Sequence, residues 1–329
     1  MRTPSPQQAA SPGLPAPLVS VIVATYERSN VLRWTIESVR RSSFADWELL
    51  VIGDACTDDS AEVVASFQDP RISFTNLAHN FGEQSGPNNV GSRLARGRFV
   101  AYLNHDDLWF PDHLETAVAC LASRRADLVF APVASAARSS ALDLERGSAP
   151  RFTLHGASTS GRYEPYLFVP ASAWVLRREL VAAVGPWRPA LECRTESSQD
   201  WLFRAFRQGR SLHCTGRLGV LTIPSGERPD VYARREEHEN RHYALRMCED
   251  ARLLREEILG AVALELAARR SQPGLALSAK RIFRRLCYGP CLRLGVHPRA
   301  VGNFLRGRPR GWGIQQLRRI RGLGPLVRS

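Results

Sequence analysis

What most constrains the fold of this chain is a rhythm of short apolar runs, each followed at once by polar or acidic residues and then by a helix-like stretch. Residues 19–24 are rich in β-branched side chains and give way to Thr25, Tyr26 and a charged helical pattern over 30–41. The rhythm repeats: 47–52 predicts a strand, 54–59 a polar loop and 60–67 a helix. A third strand over 72–76 leads through a Gly- and Asn-rich loop to a helix at 89–95, and 98–103 predicts a fourth strand. A strand with one wet face alternates apolar and polar residues. These runs do not, so both faces must be covered, as in a largely parallel α/β sheet with helices on either side. Ligands of such sheets settle at the carboxyl ends of the strands, and the loops at 25–27, 54–59 and 104–107 carry polar or acidic groups there.

Further along, 128–133 predicts a strand, 135–160 reads as a surface excursion, and 173–176 resumes the strand pattern before a helix over 178–184 that Gly185-Pro186 ends. Residues 200–208 predict a helix and 218–223 a strand. A long charge-laced helix is expected over 231–270, closed by Pro273-Gly274. The first 17 residues, with five prolines and no apolar h-region, predict a disordered leader. The expected organisation is thus leader 1–17, catalytic domain 18–230, helix 231–270 and basic extension 271–329.

The chain has 329 residues and a formal charge of +13, and the charge is unevenly placed. From Arg269 onward there are 15 Lys or Arg and no Asp or Glu, which leaves a body near neutrality. Such an extension suits anionic lipid head groups or nucleic acid, and equally a solvated basic surface. Its aromatic residues are sparse and no nucleic-acid reading motif accompanies them, so nucleic acid is the less favoured partner. Seven cysteines, an odd number without metal-ligand spacing, predict reduced thiols in a cytoplasmic compartment. No window approaches the roughly 18 consecutive apolar residues of a spanning helix. The location expected is cytoplasmic, with peripheral attachment to the inner face of the membrane through 271–329.

The strongest local signal is Val100-Ala101-Tyr102-Leu103-Asn104-His105-Asp106-Asp107, an apolar strand that stops at two adjacent carboxylates. Like charges side by side repel, so a clefted pair needs a cation or a proton. A hard divalent ion, Mn2+ or Mg2+, takes few carboxylates and fills its other positions with water and diphosphate oxygens. Read alone, the pair serves equally as a cap for the helix that follows.

In this order the segments resemble family 2 of the inverting glycosyltransferases, over residues 18–223. Val19 to Arg28 is similar to the family's opening strand and nucleotide loop, Val51 to Ser60 to its second acidic loop, and Leu103 to Leu114 to the stretch with its metal motif. The resemblance implies a GT-A fold, Rossmann-like, with a mostly parallel sheet and a helical basic extension after it. It also implies that Thr25 and Glu27 line the nucleoside, that Asp54 accepts from the base, favouring a UDP-sugar donor, that Asp106 holds the ribose or joins the metal shell, and that Asp107 binds the metal. An ionised Asp is acceptor-only, as a ring N–H requires. Ser197-Ser198-Gln199-Asp200-Trp201 is similar to the family's Glu-Asp motif, with Gln199 in place of Glu, which implies Asp200 as general base; alone, Asp200 fits a helix cap as well. Asn88 stands where the family often has Arg, and Asn104 where many relatives have Asp. Gln315-Gln316-Leu317-Arg318-Arg319 lacks the Trp of the processive synthases' Q-x-x-R-W motif.

The expected function is therefore sugar transfer, inverting and non-processive, from a nucleotide-diphosphate sugar to an acceptor hydroxyl, in cell-surface polysaccharide or glycoconjugate synthesis with a sugar or lipid-linked acceptor. The alternative is a catalytically weak nucleotide-sugar-binding or membrane-surface scaffolding protein of the same fold. His238-Glu239-Asn240-Arg241-His242 has the spacing of a zinc helix, but its charged flanks predict an exposed face. Trp201 suits the core or the floor of an acceptor pocket.

Overall fold

The computed structural model describes residues 16–137, 150–223, 228–270 and 288–327. The leader, apart from its last residues, and the Pro273-Gly274 stop lie outside the described residues.

Eleven strands are described: β1 Val19–Thr25, β2 Trp47–Gly53, β3 Ile72–Asn76, β4 Phe99–Asn104, β5 Leu108–Trp109, β6 Leu128–Phe130, β7 Val133–Ala136, β8 Phe152–His155, β9 Trp174–Arg177, β10 Leu212–Cys214 and β11 Val220–Thr222. Seven form the main sheet in the order β10-β6-β9-β4-β1-β2-β3. The first strand lies inside this sheet, parallel to β2 on one side and β4 on the other. Because Val19, Val21, Ile22 and Val23 have no exposure, both faces of β1 are covered, as its unbroken apolar run requires. The arrangement is the mostly parallel α/β sheet expected. Its exception is β9, which runs antiparallel between β4 and β6.

Helices cover the sheet: α1 Ser29–Arg40, α2 Ser60–Ala65, α3 Ser85–Leu94, α4 His113–Ser123, α5 Arg178–Val184 and α6 Ser197–Arg207. The first buries Val31, Leu32, Thr35, Ile36 and Val39, a stripe at helical spacing. Its free N-terminus is capped from another loop: Ser29 N donates to Asp58 Oδ2 at 3.0 Å. Asp58 Oδ1 also accepts from Ser60 N at 3.2 Å at the head of α2, so one carboxylate serves two helix starts. Near β9, Trp174, Trp187 and Trp201 stack with centroids 5.6–6.5 Å apart, and the ring of Trp201 lies wholly in the core.

Two expectations fail here. The stretch at 135–160 is not merely a surface excursion, since β7 and β8 pair within a second sheet of order β5-β11-β7-β8. Its core includes Leu108, Phe152, Leu221 and Tyr243. The expected single helix over 231–270 is α7 Val231–Arg234, a left-handed break at Arg235 (φ 51°), and α8 His238–Arg270 with a kink at Asp250. The kink has a local cause. Asp250 leaves the helical region, and its Oδ1 accepts from Leu253 N at 2.9 Å, capping the second half as an N-cap does. After 288 the chain forms α9 Pro298–Leu305 and α10 Trp312–Ile320. No helix among the described residues is long and apolar enough to cross a membrane.

Candidate active site

The carboxyl ends of β1, β2 and β4 open into one cleft of about 1410 Å³. Thr25, Tyr26, Asp54, Glu83, Asn104, His105 and Asp106 line it. Register explains why they meet: β1 pairs Thr25 with Gly53 of β2 and Ala24 with Asn104 of β4, so the three strand ends are level.

Asp54 is buried, and both its oxygens accept from the loop after β3, Oδ1 from Phe81 N and Oδ2 from Gly82 N, each at 2.8 Å. Burial raises its pKa, while these two amides and the Arg318 guanidinium act in the opposite direction. Each carboxylate oxygen has a second lone pair, so the group can accept a further N–H from the cleft. Thr25 is buried too, and its Oγ1 lacks a hydrogen-bond partner among the described residues although the residue lines the cleft. Glu27 is placed differently. Its Oε1 accepts from Thr57 N at 2.5 Å, so it ties the loop after β1 to the loop after β2, and it is not among the cleft-lining residues.

The structure separates the two adjacent acids. Asp106 lines the cleft, and its main-chain oxygen accepts from Asn240 Nδ2 at 2.6 Å. Asp107 turns inward. Its Oδ2 accepts from Asn104 Nδ2 at 2.9 Å and Ser172 Oγ at 2.5 Å, and its Oδ1 from Ile223 N at 3.3 Å. That carboxyl thereby joins β4, the segment entering β9 and the end of β11. Burial, with the neighbouring Asp106 charge adding to it, pushes the Asp107 carboxyl up to about 8. His105, also buried, is pushed down to about 4 by loss of solvent.

Asp200 lies in the first turns of α6, off the cleft wall, held by Arg204 Nε at 3.0 Å and Arg188 Nη1 at 3.6 Å. Glu196, just before α6, does line the cleft and pairs with Arg299 at 3.4 Å. Asn89 faces neither: its amide brackets the main chain of Trp187, at 2.8 and 3.0 Å.

Several cleft features escaped the sequence reading. Tyr232 of α7 packs on Tyr26 with centroids 5.6 Å apart, and Arg28, fully buried, lies 5.9 Å from the same Tyr232 ring. The zinc-like segment is not simply an exposed face, since Glu239 is buried against Arg228 at 2.7 Å and Asn240 holds Asp106. No periodic signal marks those contacts; the small amide of Asn240 among charged neighbours was the available clue.

Among the described residues no three His, Cys, Asp or Glu side chains gather as a metal cluster. One outward carboxylate, Asp106, together with the neutral Asn104, nevertheless suits a hard ion that takes most of its oxygens from a diphosphate and water.

A family model described as glycosyl transferase family 2 matches residues 20–185. An E. coli UDP-Glc:alpha-D-GlcNAc-diphosphoundecaprenol beta-1,3-glucosyltransferase, WfgD, is 34% identical over 104 residues, 32% of this chain and 41% of that protein. The putative teichuronic acid biosynthesis glycosyltransferase TuaG of Bacillus subtilis is 34% identical over 110 residues, 33% of this chain and 43% of its own. The chain thus spans about two fifths of the length of these curated relatives. Among solved structures, S. aureus TarS 1-349 in complex with UDP-GlcNAc shares the fold at TM-score 0.51 and 18% identity, covering 62% of this chain and 58% of that one. The mannosyltransferase PcManGT from Pyrobaculum calidifontis, in complex with GDP-Man and Mn2+, matches at TM-score 0.51 and 18% identity over 96% of this chain and 89% of its own. The sheet is that of a GT-A glycosyltransferase, and with half its residues under the family model, the chain belongs to glycosyl transferase family 2.

Proposed function

We propose that the chain is an inverting, non-processive glycosyltransferase that moves a sugar from a nucleotide-diphosphate sugar, with UDP favoured, to an acceptor hydroxyl in cell-surface polysaccharide or glycoconjugate synthesis. The observation that carries this reading is the convergence of Asp54 and Asp106 on one cleft, at the ends of the two strands that flank β1.

In this mechanism Asp54, anchored by two backbone amides, accepts the ring N–H of the base, and Thr25 Oγ1 gains in the nucleoside the partner it lacks among the described residues. Asp106 is the residue that would hold Mn2+ or Mg2+, whose charge, when bound, offsets the charge growing on the diphosphate. Asn104 and Asp107 keep the turn below Asp106 in shape. Asp200 takes the proton of the acceptor hydroxyl as that oxygen attacks the anomeric carbon opposite the diphosphate, which inverts the centre. Its role requires the Arg188 pair to open, the longer of its two at 3.6 Å.

A lipid-linked acceptor fits the surface beside the cleft. Phe304 and Leu305 are exposed at the end of α9, next in sequence to Arg306, which is exposed and lines the cleft, a combination suited to an anionic membrane face on the cytoplasmic side.

The test is transfer and donor hydrolysis with UDP-sugars, in Mn2+ and after chelation. Asp200→Asn should abolish transfer while Glu196→Gln retains it; the reverse outcome moves the base to Glu196. Absence of both transfer and hydrolysis, with UDP-sugar binding intact, would favour the scaffolding alternative.

A further inference from the structure

The basic C-terminal segment reads in sequence as a tail separable from the catalytic body. In the structure it is stitched to that body: Gly311 N donates to Cys193 O at 3.0 Å, Asn303 Nδ2 to Arg194 O at 2.7 Å, and Arg318 Nη1 to Gly82 O at 2.7 Å. The turn after α10 is closed by Gln315, whose side chain pairs with Leu326 N and O at 3.0 and 2.8 Å. Trp312, Leu317, Arg318 and Arg321 of this segment line the same cleft as Thr25, Asp54 and Asp106.

Two of these arginines stand at distinct places. Arg318 spends its guanidinium on main-chain oxygens, Gly82 O and Gly324 O, both at 2.7 Å. Through Gly82 it acts on the loop whose amides hold Asp54, which makes it a positioning residue for the base site. Arg321 stands by Tyr232, its guanidinium carbon 6.0 Å from the ring that Arg28 approaches at 5.9 Å. Its charge reaches His105 and Arg28. Burial lowers the pKa of Arg28, and Arg321 and Arg228 lower it further, while Asp106 opposes them. Arg228 is neutralised by Glu236 and Glu239, each at 2.7 Å, so the charges that meet at the end of β4 are the guanidiniums of Arg28 and Arg321 and the carboxylate of Asp106. A guanidinium on the cleft wall suits an anion with several oxygens, since its fork matches phosphate oxygens in pairs.

We propose that Arg321 is a binding residue for the diphosphate of the donor nucleotide, so that the C-terminal segment forms part of the donor site. The inference rests on the proposed nucleotide-sugar reading and adds to it a contact from outside the family-matched region, residues 20–185. It makes residues 312–321 a condition of donor binding, where a detachable membrane tail would leave donor binding unaltered.

The test uses the full chain and calorimetric titration with UDP and with uridine, which shares the base and ribose but has no phosphate. Arg321→Ala should weaken UDP roughly tenfold or more, the scale of a charge-assisted hydrogen bond lost, and leave uridine unchanged. Arg321→Lys keeps the charge without the fork and should recover part of the loss. Arg319→Ala, at an exposed arginine two residues earlier that does not line the cleft, controls for net charge and should match the parent for both ligands. Equal weakening of UDP and uridine, or an Arg321→Ala chain indistinguishable from Arg319→Ala, would overturn the proposal alone. A parent chain that binds neither UDP nor GDP would remove the nucleotide-sugar reading, and this inference with it.

Discussion

Replacing Asp106 and Asp107 separately tests whether one turn holds two residues with opposite duties. Asp107→Ala removes the acceptor from Asn104 Nδ2, Ser172 Oγ and Ile223 N, where Asp107 itself is 3% exposed. A buried donor left without an acceptor costs about 1–3 kcal/mol; Asn104 lines the cleft and can turn its amide to water, so the donors of Ser172 and Ile223 together come to roughly 2–6 kcal/mol, softened by the hydroxyl's freedom to rotate. Against a typical total stability of about 5–15 kcal/mol, that is a severe loss. Asp107→Asn should behave quite differently. Burial and the neighbouring Asp106 charge both push the Asp107 carboxyl toward its neutral form, and an amide is the closest neutral mimic of that form. This variant should stay within about 2 kcal/mol of the parent, one hydrogen bond being altered, and should keep transfer activity. Asp106→Asn should show the opposite profile: unfolding midpoint nearly unchanged, donor hydrolysis and Mn2+ dependence lost. Urea unfolding followed by tryptophan fluorescence, with donor hydrolysis on the same preparations, reads both quantities. An Asp107→Asn chain that is as stable as the parent but inactive would refute the reasoning, because it would require a charge at 107 acting on the donor.

His113 and His297 are buried and pushed down to about 3, mainly by loss of solvent. Their folded pKa lies below the unfolded value of 6.5, so the stability they contribute is present above pH 6.5 and lost as pH falls toward 3. By pH 5 each should have cost about 2 kcal/mol, measurable as a urea midpoint that drops between pH 7.5 and 5. His297→Asn, which can still cap α9 where Nδ1 now accepts from Arg299 N, should flatten that slope. Gly82→Ala would force a side chain into a left-handed position (φ 74°) and set its Cβ 2.7 Å from Arg318 Nη1 and from Leu326. It should cost about 1–2 kcal/mol and raise amide exchange across 312–326 before the rest of the chain loosens. Trp201→Ala, which removes one ring of the tryptophan stack, should destabilise by about 3–5 kcal/mol in thermal unfolding.

The main sheet was legible because strands buried on both faces must be apolar without alternation, and 19–24 and 47–52 are. The cleft was legible because such sheets bind at their carboxyl ends, which placed Thr25, Asp54 and Asp106 together. Side-chain direction was not. Asp106 and Asp107 sit in a turn closed by Asp107 N and Asn104 O at 3.2 Å, and there adjacent residues face opposite ways for reasons of backbone geometry that composition does not record. The antiparallel β9 was hidden because its residues are as apolar as those of a parallel strand. The C-terminal segment misled for a different reason: many arginines without acids read as solvated surface, yet a guanidinium can dock by donating to main-chain oxygens, as Arg318 does, with no acid involved.

Because α10 forms one wall of the cleft, the order in which the chain leaves the ribosome bears on when the cleft exists. Asp54 and Asp106 emerge early, while Arg321 follows 215 residues after Asp106. At typical rates of synthesis this is a delay of roughly ten to forty seconds. The main sheet is complete in sequence at Cys214, and while the 107 residues from there to Arg321 are made it can already be folded, with its nucleotide loops open to solvent on the side that α10 will cover. A nascent chain therefore carries the acids of the donor site before it carries the wall that completes the cleft.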